Sequence, residues 1–89
     1  MAEDDLYKIC EYLSRFYPGT VGRFLEVLEE SFDHAAYNPR MYQSYEWNKE
    51  YRRIVAGDYL AFYKINDDEK RVDVYRILHG KRNILEYLE

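Results

Sequence analysis

The spacing of apolar and polar positions changes character near the middle of this 89-residue chain. Leu6, Ile9, Cys10, Leu13 and Phe16 recur at three- and four-residue steps, which places them on one face of an α-helix. Glu3, Asp4 and Asp5 fall in its first turn, where negative charge meets the positive end of the helix dipole. Pro18-Gly19 stops this helix, and Thr20 is placed to N-cap the next. There Val21, Phe24, Leu25, Leu28, Phe32 and Ala35 form one face, with Arg23, Glu26, Glu29, Glu30 and Asp33 off it, until Asn38-Pro39 ends the helix. So short a link makes the pair a helical hairpin whose two apolar faces share one partner.

From residue 51 the pattern turns to β. Turn signals at Ala56-Gly57-Asp58 and Asn66-Asp67-Asp68-Glu69 separate three runs rich in Tyr, Ile, Val and Phe, an antiparallel meander. The meander is the partner the helices need. Either the Tyr59, Ala61, Tyr63, Ile65 side or the Leu60, Phe62, Lys64 side of its central strand faces them, and the pattern leaves the choice open. Residues 40–48 lack a period and read as a loop that Trp47 would anchor. Residues 83–89 have the length of one or two helical turns, with Ile84, Leu85 and Leu88 returning to the core. The expected architecture is one α+β domain over residues 1–89: an N-terminal helical hairpin packed on a three-stranded antiparallel sheet, then a short C-terminal helix.

Composition supports a folded domain and restricts its chemistry. Apolar residues make up 47% and aromatics 18%, too much for a disordered tail. Eleven tyrosines suit a thin protein with many half-buried positions or a contact surface, because the ring packs while the hydroxyl stays wet. A single cysteine, Cys10, allows no internal disulfide and agrees with a reducing cytoplasm. Neither a membrane span nor a secretory leader is legible, so a cytoplasmic protein is expected.

Charge is unevenly spread. Net charge is −4 overall, yet residues 1–37 carry three basic and eight acidic side chains, while residues 70–82 carry five basic ones against Asp73 alone. This cationic segment (Lys70, Arg71, Arg76, Lys81, Arg82) contrasts with an acidic helical half. His79 sits in the same stretch. It suits acid–base work near neutral pH, although a turn histidine with a structural or contact role is the simpler reading. Arg53 can face the open side of the sheet with Arg76, or pair across strands with Asp58 or Asp73. Tyr59, Tyr63 and Tyr75 read as packing residues before base-stacking platforms. Cys10, on an apolar face, reads as a buried thiol. Two histidines and one cysteine without ligand spacing give no metal site, and no nucleotide, cofactor or triad motif occurs, so no cofactor is expected.

Taken in order, these features resemble the RelE/ParE superfamily of bacterial toxins, on the ParE side. The likeness runs through Ala2, Asp5, Leu6 and Ile9, through Arg23-Phe24-Leu25, through Asn38-Pro39-Arg40-Met41, and into Arg76-Ile77-Leu78-His79-Gly80-Lys81-Arg82-Asn83. One departure stands out: the family's short first strand is not found before the first helix, so either the true start lies upstream of Met1 or the sheet has lost a strand and shows an open edge, which would invite pairing with an antitoxin, a twin copy or an aggregate.

The resemblance implies the toxin of a type II toxin–antitoxin, plasmid-stabilising module. Such a toxin acts by binding DNA gyrase, without enzymatic activity, and is neutralised by a cognate antitoxin. No membrane partner and no sequence-specific DNA binding are expected. The residues implied for target or antitoxin binding are Arg53, Tyr59, Arg76, His79, Lys81 and Arg82. The alternative is a RelE-type, ribosome-dependent messenger endoribonuclease, for which Arg53, Arg76, Lys81, Arg82 and Tyr87 would serve. Against it, Leu60 stands directly after Tyr59, where ribonuclease members carry Arg, and no carboxylate is placed as a base. A non-toxic interaction module is a third reading, favoured by the net acidity.

Overall fold

A computed structural model describes residues 1–88 apart from the Leu85 side chain; the remaining Leu85 and Glu89 expectations lie outside the described residues. Helix α1 spans Ala2–Phe16 and helix α2 Val21–Tyr37, joined through a 3₁₀ turn at Pro18–Thr20. Ile9 and Leu13 of α1 are buried, as are Phe24, Leu28 and Ala35 of α2, so the three- and four-residue steps did mark the inner faces. The margins of those faces differ from expectation. Phe16 is 59% and Leu25 39% exposed. Phe16 ends α1 and stacks on Tyr12 with ring centres 5.0 Å apart, while Leu25 is rotated about 100° from Phe24, past the contact with the sheet.

Thr20 does not cap α2 with its side chain. Its hydroxyl donates backwards to the Tyr17 carbonyl at 2.7 Å, tightening the link instead. Pro18 at the start of that turn fits there because its missing N–H is not needed.

Strands β1 (Arg52–Ala56), β2 (Tyr59–Asn66) and β3 (Arg71–His79) form an antiparallel sheet in that spatial order. Gly57, at φ +60°, opens the β1–β2 turn, a left-handed conformation that favours glycine. A register shift lies between Phe62 and Tyr63: Tyr63 faces Val74 but Phe62 faces Arg76, so Tyr75 is an extra residue on β3. Such a bulge re-aims the side chains beside it.

The choice the sequence left open is settled. Tyr59, Ala61, Tyr63 and Ile65 face the helices and join Ile9, Leu13, Phe24, Leu28 and Ala35 in one core. The opposite side is covered too. Tyr45, Tyr51, Phe62, Leu78, Ile84 and Leu88 form a second core there, made by the loop before β1 and the chain after β3. Burying each of these larger side chains contributes roughly 1.5–3 kcal/mol, so the second core is a substantial part of what holds the sheet.

The long loop is tied down at several points. Arg52 donates to the Tyr42 carbonyl at 2.6 Å, Tyr63 donates its hydroxyl to the Pro39 carbonyl at 2.6 Å, and Tyr45 and Tyr51 pair through the backbone at 2.8 Å. Trp47 is not the anchor. It is 66% exposed, and the buried Tyr45 and Tyr51 perform that task. The C-terminal helix is reduced to a single 3₁₀ turn, Ile84–Glu86, after which Leu88 is buried. No helix among the described residues is long and apolar enough to cross a membrane.

Candidate functional site

The cations singled out in the sequence fall on two sides of the sheet. Arg53, Phe62 and Arg76 occupy one cross-strand rung, so both arginines start from the face opposite the helices. Arg53 remains half-buried there. No carboxylate among the described residues pairs with it; Asp73 is taken by Arg71 at 2.7 Å, so the cross-strand pairings with Asp58 or Asp73 do not form.

Arg76 is not part of a free cationic rim. Beside the bulge it reaches round the outer edge of β3 and grips Asp5 of α1 with two hydrogen bonds, Nε to Oδ2 at 2.7 Å and Nη2 to Oδ1 at 2.9 Å. Asp5 Oδ2 also accepts the Ile77 backbone N–H at 3.0 Å. The two side chains are only 16% and 12% exposed. Burial opposes ionisation of Asp5, but the Arg76 hydrogen bonds and the Ile77 amide outweigh it and hold the carboxyl below its ordinary range. The acidic first turn of α1 therefore stops part of the open edge, with a side chain where a strand would otherwise pair.

Tyr87 extends this arrangement to the tail. The Arg76 and Arg82 guanidiniums lie 5.0 and 5.5 Å from the centre of its ring, and Arg82 donates to its hydroxyl at 3.2 Å. Tyr87 is thus a spacer between two cations, engaged on its face and its hydroxyl. That is a different position from a general acid presented to a substrate.

The remaining predicted residues gather at the other end of the sheet, on the helix side. Tyr59 lies between Phe24 and His79, with ring centres 5.2 and 5.3 Å away. Burial pushes its phenol up. His79 Nδ1 accepts the Lys81 N–H at 3.1 Å, and the Arg82 N–H returns to the His79 carbonyl at 3.0 Å, closing the turn after β3. Gly80 donates to the Asp58 carbonyl at 2.8 Å, locking this turn against the β1–β2 turn; a Cβ there would already touch the same oxygen at 3.4 Å. Lys81 and Arg82 are left exposed on the rim.

Between these turns and the tip of the helical hairpin lies a half-open groove of about 1070 Å³. Its walls are aromatic: Tyr12, Tyr17 and Phe24 from the hairpin, Tyr59 and His79 from the sheet. Lys8 and Arg23 join Arg82 as its cations and Asp58 is the carboxylate of its lining, while Arg23 is already paired with Glu26 at 3.4 Å. The structure thus brings Tyr59, His79 and Arg82 together and places Lys81 beside them. It leaves Arg53 on the other face and Arg76 at the outer edge of β3, paired with Asp5.

Lys8, Tyr12, Tyr17 and Arg23 are the residues that sequence reasoning missed. Their signal was present: Lys8 and Tyr12 are one helical turn apart on α1, and Arg23 opens α2 just beyond the hairpin link. No metal-holding cluster of His, Cys, Asp or Glu occurs among the described residues.

Comparison with known proteins identifies the family. Residues 1–84 match the family described as "ParE toxin of type II toxin-antitoxin system, parDE". The chain is 33% identical over 63 residues to Toxin ParE1 of Mycobacterium tuberculosis strain CDC 1551 / Oshkosh, and equally to Toxin ParE1 of strain ATCC 25618 / H37Rv. In both cases the match covers 70% of this chain and 63% of the relative.

Proposed function

The chain belongs to the ParE toxin family of type II toxin–antitoxin systems, and from that premise we propose that it is a toxin that acts by binding, with DNA gyrase as target and a cognate antitoxin as its neutraliser. Binding is favoured over RNA cleavage by one observation above others: Arg76, one of the cations a nuclease would need on the sheet, is held in a two-bond pair by Asp5. A guanidinium committed to a shielded carboxylate supplies little charge to a transition state. Leu60, where an arginine would be required, faces the second core and is partly buried against it. Tyr87 stacks with two arginines. The other cations are suited to recognition: exposed Lys81, exposed Arg82 held by Tyr87 beside the aromatic groove, and half-buried Arg53 on the far face.

Tightly controlled expression in a sensitive bacterium tests this reading. DNA breaks and a damage response, relieved by an altered gyrase, are the expected result. Rapid loss of translation with cleaved messages would instead establish the nuclease, and unimpaired growth a non-toxic interaction module.

A further inference from the structure

The two edges of the sheet are treated differently. Along β1 the Arg53 N–H goes to the Gln43 carbonyl at 3.1 Å and Ser44 bridges Arg52, so the long loop covers that edge. Along β3 the Asp5–Arg76 junction stops the edge at residues 76 and 77. Helix α1 starts there and runs on toward the end of the strand, where Tyr12 lines the groove with His79. No strand among the described residues pairs with the outer side of residues 71–75.

Backbone groups along an antiparallel strand alternate between its two neighbours. Ile77 turns its N–H off the edge, to Asp5, so its partner Ala61 directs its own groups to β1. Tyr63 and Ile65 share the orientation of Ala61, and their partners Val74 and Val72 therefore also present N–H and C=O outward. On β1 the same count leaves only Val55 with outward groups beyond the loop, too short a run to pair.

We propose that this stretch of β3 is a dimerisation surface: it pairs antiparallel with its own copy, centred on Val72, and joins two sheets into one of six strands. In that register Val72 exchanges both backbone hydrogen bonds with Val72 of the partner subunit. Arg71 faces Asp73 of the partner subunit, and two-fold symmetry repeats the pair. Centring on Asp73 instead would set that carboxylate against its own copy, and like charges directly opposite are destabilising. Charges on an edge strand commonly prevent pairing; here their alternating sign makes the edge complementary to itself in one register. Arg71 already holds Asp73 of its own chain at 2.7 Å and Glu69 at 3.9 Å. Its guanidinium has five N–H groups, more than those contacts use. The outer edges of the joined sheet would be the two covered β1 strands, so association closes at two. This pairing does not depend on the gyrase or antitoxin reading.

Sedimentation velocity of the full chain, from micromolar to millimolar concentration, should show a reversible dimer, weak because the paired run is short. Concentration-dependent amide NMR shifts should fall on residues 70–75. Arg71→Asp or Asp73→Arg makes both cross-copy pairs like-charged, and each should weaken dimerisation about tenfold or more. An equimolar mixture of these two variants should dimerise again, because two acidic edge residues of one then face two basic ones of the other. Val72→Pro removes the central N–H at an outward-facing edge position that tolerates proline, and it should also give a monomer. The amide spectrum verifies that each variant folds.

A chain monomeric at every concentration, a dimer indifferent to these variants, or a mixture that stays monomeric would overturn the proposal. So would tighter dimerisation of Asp73→Asn, which would mean that Asp73 opposes its own copy. Shifts confined to Tyr12, Phe16 and Tyr17 would place the contact at the hairpin tip instead. If residues 71–75 shift only when the product of the neighbouring reading frame is added, the edge receives a foreign strand and the self-pairing falls.

Discussion

Asp5 and Arg76, 71 positions apart, meet through two hydrogen bonds of 2.7 and 2.9 Å, and a third from Ile77 fixes the carboxylate on the edge of β3. This junction fastens the start of α1 to the last strand. It joins the acidic end of the chain to the cationic segment, so charges that are separate in sequence neutralise each other in the fold. Removing one partner leaves the other shielded and unpaired. Asp5→Asn or Arg76→Met should cost about 2–4 kcal/mol, somewhat below the range for fully buried pairs because both side chains keep some contact with water. The double variant Asp5→Asn with Arg76→Met should cost less than the two singles together. Urea unfolding of the four forms measures the coupling.

The same carboxylate makes stability depend on acid. The folded chain holds Asp5 below the 3.8 of an ordinary aspartate, so its contribution is complete above that value. It is lost as pH falls from there through the lower value of the folded state. Melting temperature against pH should therefore drop more steeply below pH 3.8 in the wild type than in Asp5→Asn. Parallel curves in that window would show that Asp5 does not carry the effect.

The helices, the turns and the antiparallel meander were legible because each has a local cause. Pro18-Gly19 and Gly57-Asp58 punctuate the chain, and Ile9, Leu13, Phe24 and Leu28 keep a helical period. The facing of β2 was not legible, and the reason is physical. Ala61, Phe62 and Tyr63 are all buried because both sides of the sheet are covered, so the alternation that would reveal one wet face is missing. The pairing of Arg76 was hidden for a related reason. Its partner lies in another element, and a bulge invisible in the sequence turns it toward that partner. The groove shared this difficulty: its sheet residues were singled out, but Lys8 and Arg23 join them only after the hairpin folds onto the sheet.

Tyr63 offers a test of how the long loop is held. Its ring is fully buried, and its hydroxyl donates to the Pro39 carbonyl at 2.6 Å. Tyr63→Phe keeps the packing and removes that one bond. A loss of about 1 kcal/mol is expected, rising toward 2 if the partly buried carbonyl finds no water. Hydrogen exchange should quicken in residues 39–45 more than in the helices.

Trp47 is the chain's one tryptophan and is 66% exposed, whereas Tyr45 and Tyr51 on either side are buried. Its emission should sit near that of a solvated indole and be quenched readily by acrylamide in the native state. Unfolding should shift it little. A blue-shifted, protected emission would mean that the loop packs through Trp47 after all.

The second core makes the end of the chain a structural component. Leu88 is 1% exposed, and its carbonyl accepts from the Asn48 side chain at 3.4 Å, so the tail and the loop before β1 close over Phe62 and Leu78 together. Leu88→Ala removes buried methyl groups from a site walled on one side by a rigid strand, where collapse into the gap is limited. The expected cost is about 2–4 kcal/mol. Because Tyr87 precedes it and carries Arg82 on its ring, loosening Leu88 should also free Arg82 at the rim of the groove. The Arg82 NMR signals should then move in Leu88→Ala at temperatures where the variant remains folded. Tyr87→Phe, which retains the ring but loses the 3.2 Å bond, should move them less. Unchanged Arg82 signals in Leu88→Ala would separate the tail's structural role from the placement of Arg82.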